Sequence, residues 1–556
     1  MRTSMWLGLL GIALTAGCTR TQIVYVEDTS SSGGDPTGPT DPTNTQTDDA
    51  AIDAAWATLP TLIPGLPNVD DDNGDGDVDW EDEGHSSEND YASLVIPADI
   101  ADNLQGATLV MTLSGDTGGI RVWYDGSIVI GGGDTETSIG GADFDVEFQV
   151  EFDYFLTEGV LNVAQVTDDG EVLREHDIVL QASPLILNHH LQPSEHTWAM
   201  DISLWGGNGQ MIDEYESSLG EDFSSLHEGT YGYDVWVQDE IEFATATAEG
   251  QRLDIVVDSI RDRGLDNFPE YELEGPDFAV MTWGSGWATS QDSFGNLEAT
   301  PPHDAGGVEY PFGRIYWGGS GSYVPTRDLT DFLEDQKVQE PIVIDTTWLC
   351  VGHVDEFMTF IPDPAAPRGF RLVMNDVGEF YNDIEQMPAS TSLPLYQSGH
   401  GYATIGDIAN DASLRFLNED IQADDVDPIT QTFIDEMELT DDEIIYFPGA
   451  YEEVWGCGTW VAALVPGTLN LIVGNRESDT KTHLFMADPH FRTNDGILDD
   501  DLFIPTFLDR LPKSVEAHWM DDWDVYHLGL GEVHCGTNVT RTPTVDWWTE
   551  GLHLLE

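Results

Sequence analysis

Apolar and polar residues alternate along a long early part of the chain, which predicts a series of short β-strands. Between about residues 92 and 187 the alternation is clearest in Thr108–Leu113, Ile120–Tyr124 and Val146–Phe152, and glycine turns are frequent. Because successive side chains of a strand point to opposite faces, such strands can bury one face, and their spacing favours an antiparallel sandwich. From about Pro184 the pattern changes to strands mixed with helices, which predicts a second and larger domain.

The first residues predict export and lipid attachment. Arg2 precedes an apolar run from Trp6 to Leu14 that is too short to span a bilayer, and no other stretch is long and apolar enough. The run ends at Thr15–Cys18, which resembles a bacterial lipobox in which Cys18 becomes the lipid-modified first residue of the mature protein. Residues 1–18 are therefore expected to be a lipoprotein signal peptide, sorted to an outer membrane. An ordinary cleaved signal peptide with an incidental cysteine is the alternative.

Residues 19–64 are expected to form a disordered tether. From about Asp28 to Asp49 the chain consists of serine, glycine, proline, threonine and aspartate with almost no large apolar residue. Such a segment cannot bury enough surface to fold. Placed after a lipid anchor, it would hold a sandwich domain (65–183) and a mixed domain (184–556) away from the membrane.

The charge of the chain excludes one class of partner and leaves three interpretations. The formal net charge is −85, from 19 lysines and arginines against 104 aspartates and glutamates. Nucleic acids and anionic membrane surfaces would be repelled by such a surface. Adaptation to a saline habitat, extensive calcium binding and attraction of basic substrates all remain compatible with it.

One acidic cluster has the spacing of an EF-type calcium loop. Within Asp71–Asp82, oxygen-bearing side chains fall at the ligand positions, a glycine stands at the turn, and an aspartate replaces the usual final glutamate. The candidate calcium ligands of this loop are Asp71, Asn73, Asp75, Asp77, Asp79 and Asp82. An acidic, solvated loop without an ion is the alternative.

Two further segments carry candidate site residues. If Tyr233–Phe243 is extended, Gln238, Glu240 and Glu242 share one face and form a row of oxygen ligands suited to a hard cation. An exposed acidic edge strand is the alternative. In an extended Thr347–Phe357, His353 and the aspartate two residues later would project to the same side. There they could act as a general acid/base beside a cation-binding carboxylate, unless the pair is structural.

The segment Gly531–Asn538 carries a candidate nucleophile. Cys535 stands between a histidine and a glycine, where backbone freedom keeps the sulfur accessible and neighbouring positive charge favours the thiolate. A small buried hydrophobic cysteine is the alternative. A thiol, a histidine and two carboxylates together suit a guanidinium, because carboxylates bind this planar cation through paired hydrogen bonds and its central carbon is electrophilic.

With these residues in view, the chain resembles the protein-arginine deiminase family. The resemblance rests on six motifs that follow one another in the family's order. These motifs are Val235–Glu240, Val257–Leu265, Gly275–Phe278, Asp292–Glu298, Val351–Phe357 and Gly531–Val539. The resemblance implies an immunoglobulin-like β-sandwich followed by a five-bladed α/β propeller, the fold of guanidino-modifying enzymes. The family's N-terminal domain has no counterpart, and residues from about 375 to 453, including an acidic helix from about Ile429 to Met437, match poorly.

The resemblance also implies a role for each site residue. Cys535 would be the nucleophile, His353 the general acid, Asp239 and Asp355 the ligands of the guanidinium. Trp236 would line the channel for the side-chain stem, and Arg263 would hold backbone carbonyls of a protein substrate. A first calcium ion would be bound by Gln238, Glu242, Glu298 and the carbonyls of Phe294 and Leu297. A second would be bound by Glu240, Asp258, Ser259 and Asp262, the last of which replaces an asparagine.

We therefore expect a calcium-dependent, exported, lipid-anchored hydrolase that converts peptidyl-arginine to citrulline and ammonia through a covalent thiouronium on Cys535. A deiminase or hydrolase of free arginine or small guanidino compounds is one alternative, and a non-enzymatic surface calcium-binding protein is another. The remaining cysteines, Cys350 and Cys457, either form a disulfide that braces the His353 segment or stay as two buried thiols.

Overall fold

The computed structural model describes residues 22–24, 45–82, 90–104 and 106–555. The predicted signal peptide and Cys18 lie outside these residues. The chain divides into two compact units, the first comprising residues up to Pro67 and Glu83–Ala182, the second comprising Asn68–Asp82 and Ser183–Glu556. The sequence analysis assigned the loop 71–82 to the sandwich, whereas the structure places it in the second unit.

The first unit consists of two β-sheets that share one hydrophobic core. Its six-stranded sheet has the order β1-β7-β4-β9-β10-β2 and its four-stranded sheet the order β3-β8-β5-β6. Leu109 and Leu161 of one sheet and Leu94 and Phe148 of the other belong to the same buried cluster. The elements are β1 (Gln22–Val24), α1 (Thr45–Trp56), β2 (Leu62–Gly65), β3 (Ala92–Ile96), α2 (Ala98–Ala101), β4 (Thr108–Gly115), β5 (Ile120–Tyr124), β6 (Ser127–Ile130), β7 (Glu136–Ile139), β8 (Val146–Phe152), β9 (Glu158–Val166) and β10 (Val172–Ala182).

Parts of the predicted tether are folded, which corrects that prediction for residues 22–24 and 45–64. Strand β1 pairs in parallel with β7. Helix α1 and strand β2 lie in the second stretch, and β2 pairs in parallel with β10. Ile52 and Trp56 of α1 are buried in the core of the first unit. The polar composition that indicated disorder ends before these residues, and two large apolar side chains one helical turn apart are enough to anchor a short helix.

In the described part of the second unit, five sheets of three or four strands repeat one arrangement. The central strand of each sheet pairs antiparallel with one neighbour and parallel with the other. The sheets have the orders β13-β12-β30, β11-β14-β15-β16, β17-β20-β21, β22-β23-β24 and β27-β28-β29. The β13-β12-β30 sheet joins Ser194–Asp201, near the start of the unit, to Thr537–Arg541, near its end.

The strands of this unit are β11 (Ile186–Leu187), β12 (Ser194–Asp201), β13 (Phe223–His227), β14 (Ile241–Ala248), β15 (Gln251–Asp258), β16 (Phe278–Thr282), β17 (Leu297–Ala299), β18 (His303–Ala305), β19 (Val308–Tyr310), β20 (Ile315–Gly318), β21 (Ile342–Ile344), β22 (Met358–Pro362), β23 (Phe370–Asp376), β24 (Ile444–Pro448), β25 (Tyr451–Glu453), β26 (Val461–Ala463), β27 (Ile472–Gly474), β28 (Thr482–Ala487), β29 (Val515–Met520) and β30 (Thr537–Arg541). The helices are α3 (Gly209–Leu219), α4 (Val237–Glu240), α5 (Phe268–Glu272), α6 (Arg327–Asp335), α7 (Val377–Ile384), α8 (Pro394–Gly399), α9 (Ile405–Ala409), α10 (Ala412–Ile421), α11 (Asp427–Met437), α12 (Ile504–Arg510) and α13 (Leu552–Leu555).

The stretch that matches the family poorly is a helical insertion between β23 and β24. It holds α7 to α11, and Phe380, Ile408 and Phe433 from these helices are buried in the same cluster as the strands on either side. The insertion is therefore an integral part of the core. Cys350 and Cys457 form a disulfide, which settles the alternative that the sequence left open. No helix of the described residues is long and apolar enough to cross a membrane.

Candidate active site

The predicted site residues meet where one short turn from each of the five sheets leads into a strand. Four of these turns are helical, and the fifth segment contributes Asn470, two residues before β27. The helical turns are Val237–Glu240 before β14, Phe294–Asn296 before β17, Val354–Glu356 before β22 and His534–Gly536 before β30. In each sheet the strand that follows is the one antiparallel to the central strand, so the five turns occupy equivalent positions.

The Cys535 sulfur is held by an asparagine and a carboxylate. Asn470 Nδ2 donates to Sγ over 3.3 Å, and Asn470 Oδ1 accepts from the Cys535 amide over 3.1 Å. The thiol faces Asp355 Oδ2 at 3.7 Å, and the same carboxylate oxygen lies 2.9 Å from His534 Nδ1. Cys535 is 4% exposed, so its position is fixed by packing as well as by these contacts.

The glycines that flank the thiol are required by close packing. A Cβ at Gly531 would overlap the indole of Trp236, and a Cβ at Gly536 would overlap the phenol ring of Tyr526. The sequence analysis attributed these glycines to backbone freedom. The structure shows instead that they let two aromatic rings approach the loop on either side of Cys535.

Electrostatics keep the thiol protonated in the free protein. Burial raises the pKa of Cys535 well above its ordinary value, and the negative charges of Asp355 and Asp239 raise it further. A cation placed between the sulfur and these carboxylates would reverse the effect of both charges. The site is therefore complementary to a positively charged ligand.

His353 presents one ring nitrogen to the site and anchors the other. Nε2 lies 2.9 Å from the Ser290 carbonyl oxygen, which can only accept, so Nε2 carries the hydrogen. Nδ1 makes no hydrogen bond within the described structure and lies 3.7 Å from Asp239 Oδ1. The lone pair of this nitrogen is therefore available to a bound ligand, next to the Asp239 carboxylate. A Cβ at Gly295 would clash with His353 Nδ1 and Asp355, so both side chains converge on one point.

Arg263 and Trp236 line one groove. Arg263 NH2 lies 3.3 Å from Asp239 Oδ2, and its Nε lies 3.4 Å from Asp234 Oδ2. The Trp236 ring packs edge-on against Tyr526 and lies next to Gly529 and Gly531. The two residues that were predicted to contact substrate therefore lie in the same groove.

The first predicted calcium set is brought together in a small cavity. Gln238, Glu242 and Glu298 all line it. Gln238 also donates to the Phe294 carbonyl over 3.1 Å, and the Leu297 amide donates to the same carbonyl. Burial raises the pKa of Glu242 and of Glu298. Glu242 accepts hydrogen bonds from Gln238 and from the Phe243 amide, whereas Glu298 Oε1 accepts none within the described residues. Oxygen donors that are buried and short of partners fit a calcium ion.

The second predicted set lies on the opposite side of α4. Both carboxylate oxygens of Glu240 and one of Asp258 are buried and accept no hydrogen bond within the described residues. The Ser259 amide donates to the Glu240 carbonyl over 2.9 Å. Burial raises the pKa of Glu240 to about 9, and burial raises that of Asp258 to about 7, with a contribution from the charge of Asp262. These oxygens also fit a divalent cation.

The two sets show that the predicted single row of ligands was wrong. The sequence analysis expected Gln238, Glu240 and Glu242 on one face of a strand. Residues 237–240 instead form the helical turn α4, and the strand begins only at Ile241. The turn sends Gln238 and Glu242 to the cavity of the first calcium set and Glu240 to the second set. It also turns Asp239 towards His353. Similarly, the segment that carries His353 and Asp355 contains a helical turn and is not extended.

The loop 71–82 folds around its first aspartate. Asp71 accepts hydrogen bonds from the amides of Gly74, Asp75 and Gly76, and Asn73 Nδ2 donates to Asp82 Oδ2 over 2.7 Å. Asp77 follows in the same turn. Asp79 is buried, and burial raises its pKa to about 6.

Sequence reasoning missed three residues that shape the site. Asn470 stands alone in an apolar segment, and nothing in its neighbourhood connects it to Cys535 until the chain is folded. His534 was considered only as a positive charge beside the thiol, whereas its ring is paired with Asp355. His190 lines the cavity of the first calcium set together with His534. A polar side chain within an apolar run was the only available signal for Asn470.

Comparison with known proteins agrees with this site. The sequence profile of the family described as protein-arginine deiminase (PAD) matches residues 172–549, more than half of the chain. Protein-arginine deiminase type-4 of Rattus norvegicus is 34% identical over 336 residues, which cover 57% of this chain and 48% of that protein. The type-4 protein of Homo sapiens is 29% identical over 415 residues, 71% of this chain and 59% of that protein.

The type-1 protein of Mus musculus is 32% identical over 338 residues, which cover 57% of this chain and 47% of that protein. The chain thus spans about half the length of the curated relatives it matches. The match includes every turn that contributes to the site around Cys535. The chain belongs to the protein-arginine deiminase family.

Proposed function

We propose that this protein is a calcium-dependent protein-arginine deiminase that hydrolyses peptidyl-arginine to peptidyl-citrulline and ammonia. The convergence of Cys535, His353, Asp239 and Asp355 at the ends of separate sheets carries the proposal. The two carboxylates suit the two sides of a guanidinium, and the thiol faces one of them. The names of the relatives, which are protein-arginine deiminases, support peptidyl-arginine as the substrate.

The geometry supports the following sequence of steps. Binding of the guanidinium cation lowers the pKa of the Cys535 thiol, which loses its proton to solvent, because the added positive charge offsets Asp239 and Asp355. The thiolate attacks the guanidinium carbon and forms a C–S bond. The C–N bond then breaks as His353 Nδ1 gives its proton to the departing nitrogen, which leaves as ammonia, and a thiouronium remains on Cys535.

The second half of the reaction reverses the role of His353. Its neutral Nδ1 takes a proton from a water molecule, and the resulting hydroxide attacks the same carbon. The C–S bond breaks, the thiolate is restored, and citrulline leaves. Gln238, Glu242, Glu298 and the Phe294 and Leu297 carbonyls would hold one calcium ion, and Glu240, Asp258, Ser259 and Asp262 another. Calcium would supply positive charge that neutralises these buried acids.

The finer features of the fold and location belong to the same proposal. Five sheets of one arrangement, with β30 pairing with β12, support a five-bladed α/β propeller for the second unit. Two sheets around one core support an immunoglobulin-like sandwich for the first unit. The lipobox at Cys18 supports an exported protein anchored to a membrane by lipid, and the loop 71–82 supports a further calcium site.

The test is citrulline release from an arginine-containing peptide and from free arginine, each with calcium and with chelator. We expect product from the peptide in calcium only. Cys535→Ala should abolish turnover and leave calcium binding unchanged. Activity on free arginine alone would replace the peptidyl substrate with a free one, and no product in any condition would refute the proposal.

A further inference from the structure

Two histidines and a glutamate meet in the cavity of the first calcium set. His190 Nε2 lies 3.4 Å from Glu298 Oε2, and His534 Nε2 lies 3.4 Å from Glu298 Oε1. The three donor atoms all lie within 4.8 Å of one another. Glu298 is 6% exposed, and its Oε1 accepts no hydrogen bond within the described residues. The cavity holds about 20 Å³, room for one ion or water molecule.

The other nitrogen of each imidazole is already occupied, which directs Nε2 towards the cavity. His534 Nδ1 pairs with Asp355 Oδ2 over 2.9 Å, so Nδ1 carries the hydrogen and Nε2 offers a lone pair. His190 Nδ1 lies 3.1 Å from Thr359 Oγ1, which can accept in the same way. Histidines that bind metals in proteins usually have their second nitrogen held by such a carboxylate or oxygen.

The distances suit a metal ion that prefers nitrogen ligands. Bonds of about 2.0–2.1 Å in a tetrahedral zinc site place neighbouring donors about 3.3–3.4 Å apart. The two nitrogen–oxygen distances, one to each oxygen of Glu298, are both 3.4 Å and are of this size. Calcium selects oxygen donors, whereas two imidazoles and one carboxylate select zinc and similar divalent metals. The histidine pair therefore serves no purpose for calcium.

The net charge of the cavity also favours a cation. Glu242 and Glu298 line it, and the cation opposite them is the Arg541 guanidinium. The NH1 and NH2 groups of Arg541 donate hydrogen bonds to the backbone carbonyls of His190, Gln192 and Val473 and to the Asn475 side chain. Two carboxylates against one guanidinium leave a net negative cavity once both acids are ionised.

We propose that His190, Glu298 and His534 form a binding site for a zinc-like divalent transition metal, with water in the fourth position. Because Glu298 also belongs to the proposed calcium set, zinc and calcium exclude each other. Zinc on His534 Nε2 also fixes the ring whose Nδ1 is paired with Asp355, next to the nucleophile. Zinc is then an inhibitor that raises the calcium requirement, a consequence that depends on the proposed deiminase function, whereas zinc binding itself does not.

Direct metal binding tests the site independently of activity. The chelator-treated full chain is titrated with zinc chloride by calorimetry, and with cobalt(II), whose visible absorption reports a tetrahedral site. We expect one zinc per chain that is lost in His190→Asn, together with the cobalt band. Thr359→Val, which removes the side-chain hydrogen-bond partner of His190 Nδ1, should weaken zinc binding about 10- to 100-fold. His303→Asn is the matched control, since it also replaces a buried histidine, and its zinc affinity should equal that of the unaltered chain.

Competition is measured as the calcium concentration for half-maximal citrulline release. With zinc at ten times its Kd, that concentration should rise about elevenfold, because each competitor reduces apparent affinity by 1 + [L]/Kd. The increase should disappear in His190→Asn, with each variant compared with its own zinc-free curve. Equal zinc binding by His190→Asn, Thr359→Val and the unaltered chain would overturn the site. If zinc binds at the site that requires His190 but the calcium requirement does not change, the proposed competition is wrong. If no citrulline forms with calcium and without zinc, the deiminase proposal is refuted instead.

Discussion

Calcium binding to the second set should release protons, and the structure gives the size of the effect. In the metal-free chain the pKa of Glu240 is about 9 and that of Asp258 about 7, so both carboxylates hold protons at pH values where exposed acids are ionised. A metal ion binds only the ionised form. The apparent calcium affinity should therefore rise with pH, steeply below about 7 and less steeply up to about 9.

The magnitude follows from the two titrations. Between pH 7 and pH 8, the Glu240 proton contributes about tenfold to the apparent association constant and the Asp258 proton about twofold, together roughly 20-fold. Glu242 and Glu298 have raised pKa values and act in the same direction on the first set. Replacing Glu240 by glutamine removes one of the protons that calcium displaces. The rise of the apparent calcium association constant with pH should therefore be smaller by about one power of ten per pH unit.

Calorimetry in two buffers of different ionisation enthalpy counts the released protons directly. We expect between one and two protons from the second set at pH 7, and about one fewer in Glu240→Gln. Asp262→Asn is the control, because this exposed residue would supply an oxygen without a buried proton. Calcium affinity that stays constant from pH 7 to pH 9, or binding without proton release, would show that these acids are not the ligands.

The same two acids predict the pH dependence of metal-free stability. Their pKa values are higher in the folded chain than the ordinary 3.8 and 4.5, so the folded state binds more protons than the unfolded state. Their favourable contribution is complete at low pH and is lost as the pH rises towards 7 for Asp258 and 9 for Glu240. The Tm in chelator should fall from pH 6 to pH 9, and calcium should restore it. A metal-free Tm that rises over this interval would contradict the titrations.

Three further predictions concern the thiol and its surroundings. Cys457→Ser removes a disulfide that joins residues 107 positions apart. Because the unfolded chain then gains conformational entropy, the free energy of unfolding should fall by about 4–5 kcal/mol. An unchanged urea midpoint would show that the bridge does not form. Asn470→Ala removes two hydrogen bonds to Cys535 and should reduce kcat about 10- to 100-fold with little change in KM, and a purely higher KM would instead indicate a substrate contact. Alkylation of Cys535 by iodoacetamide should be slow in chelator and faster with calcium and a guanidinium analogue, because added positive charge lowers the pKa of the thiol; equal rates would argue against control by Asp355 and Asp239.

Local patterns predicted the strands of the first unit better than the turns of the site. The alternating runs at 108–113, 120–124 and 146–152 correspond to β4, β5 and β8, since a strand with one buried face must alternate. The acidic run before β14 also alternates, yet residues 237–240 form a helical turn. There the alternation of acids does not mark one buried and one solvated face, because Gln238, Asp239 and Glu240 are all buried, each towards a different partner. The two-residue period of a strand has only two faces, whereas the side chains of this turn point in three directions.

The contacts around the thiol could not be predicted from spacing alone. Asn470 and Cys535 are 65 positions apart, and His190, Glu298 and His534 come together only in the folded chain. The motifs of the family pointed to Cys535 and to most of the acids around it, since these lie in short segments with distinctive composition. Histidine and asparagine residues that act through a fold-dependent contact have no such local signature.

The distribution of charge implies that metal and substrate bind cooperatively. Glu240, Glu242, Glu298 and Asp258 all have pKa values raised first by burial, and the thiol of Cys535 is raised for the same reason. With these carboxyls and the thiol biased towards their protonated forms, the site without bound cations is short of the anions that calcium binding and nucleophilic attack require. Each bound cation reverses part of this bias for its neighbours. Calcium at Glu242 lowers the positive shift on Glu298, and a guanidinium near Asp355 lowers the shift on the thiol. Because such effects are reciprocal, a guanidinium ligand must increase calcium affinity by the same factor by which calcium increases its own.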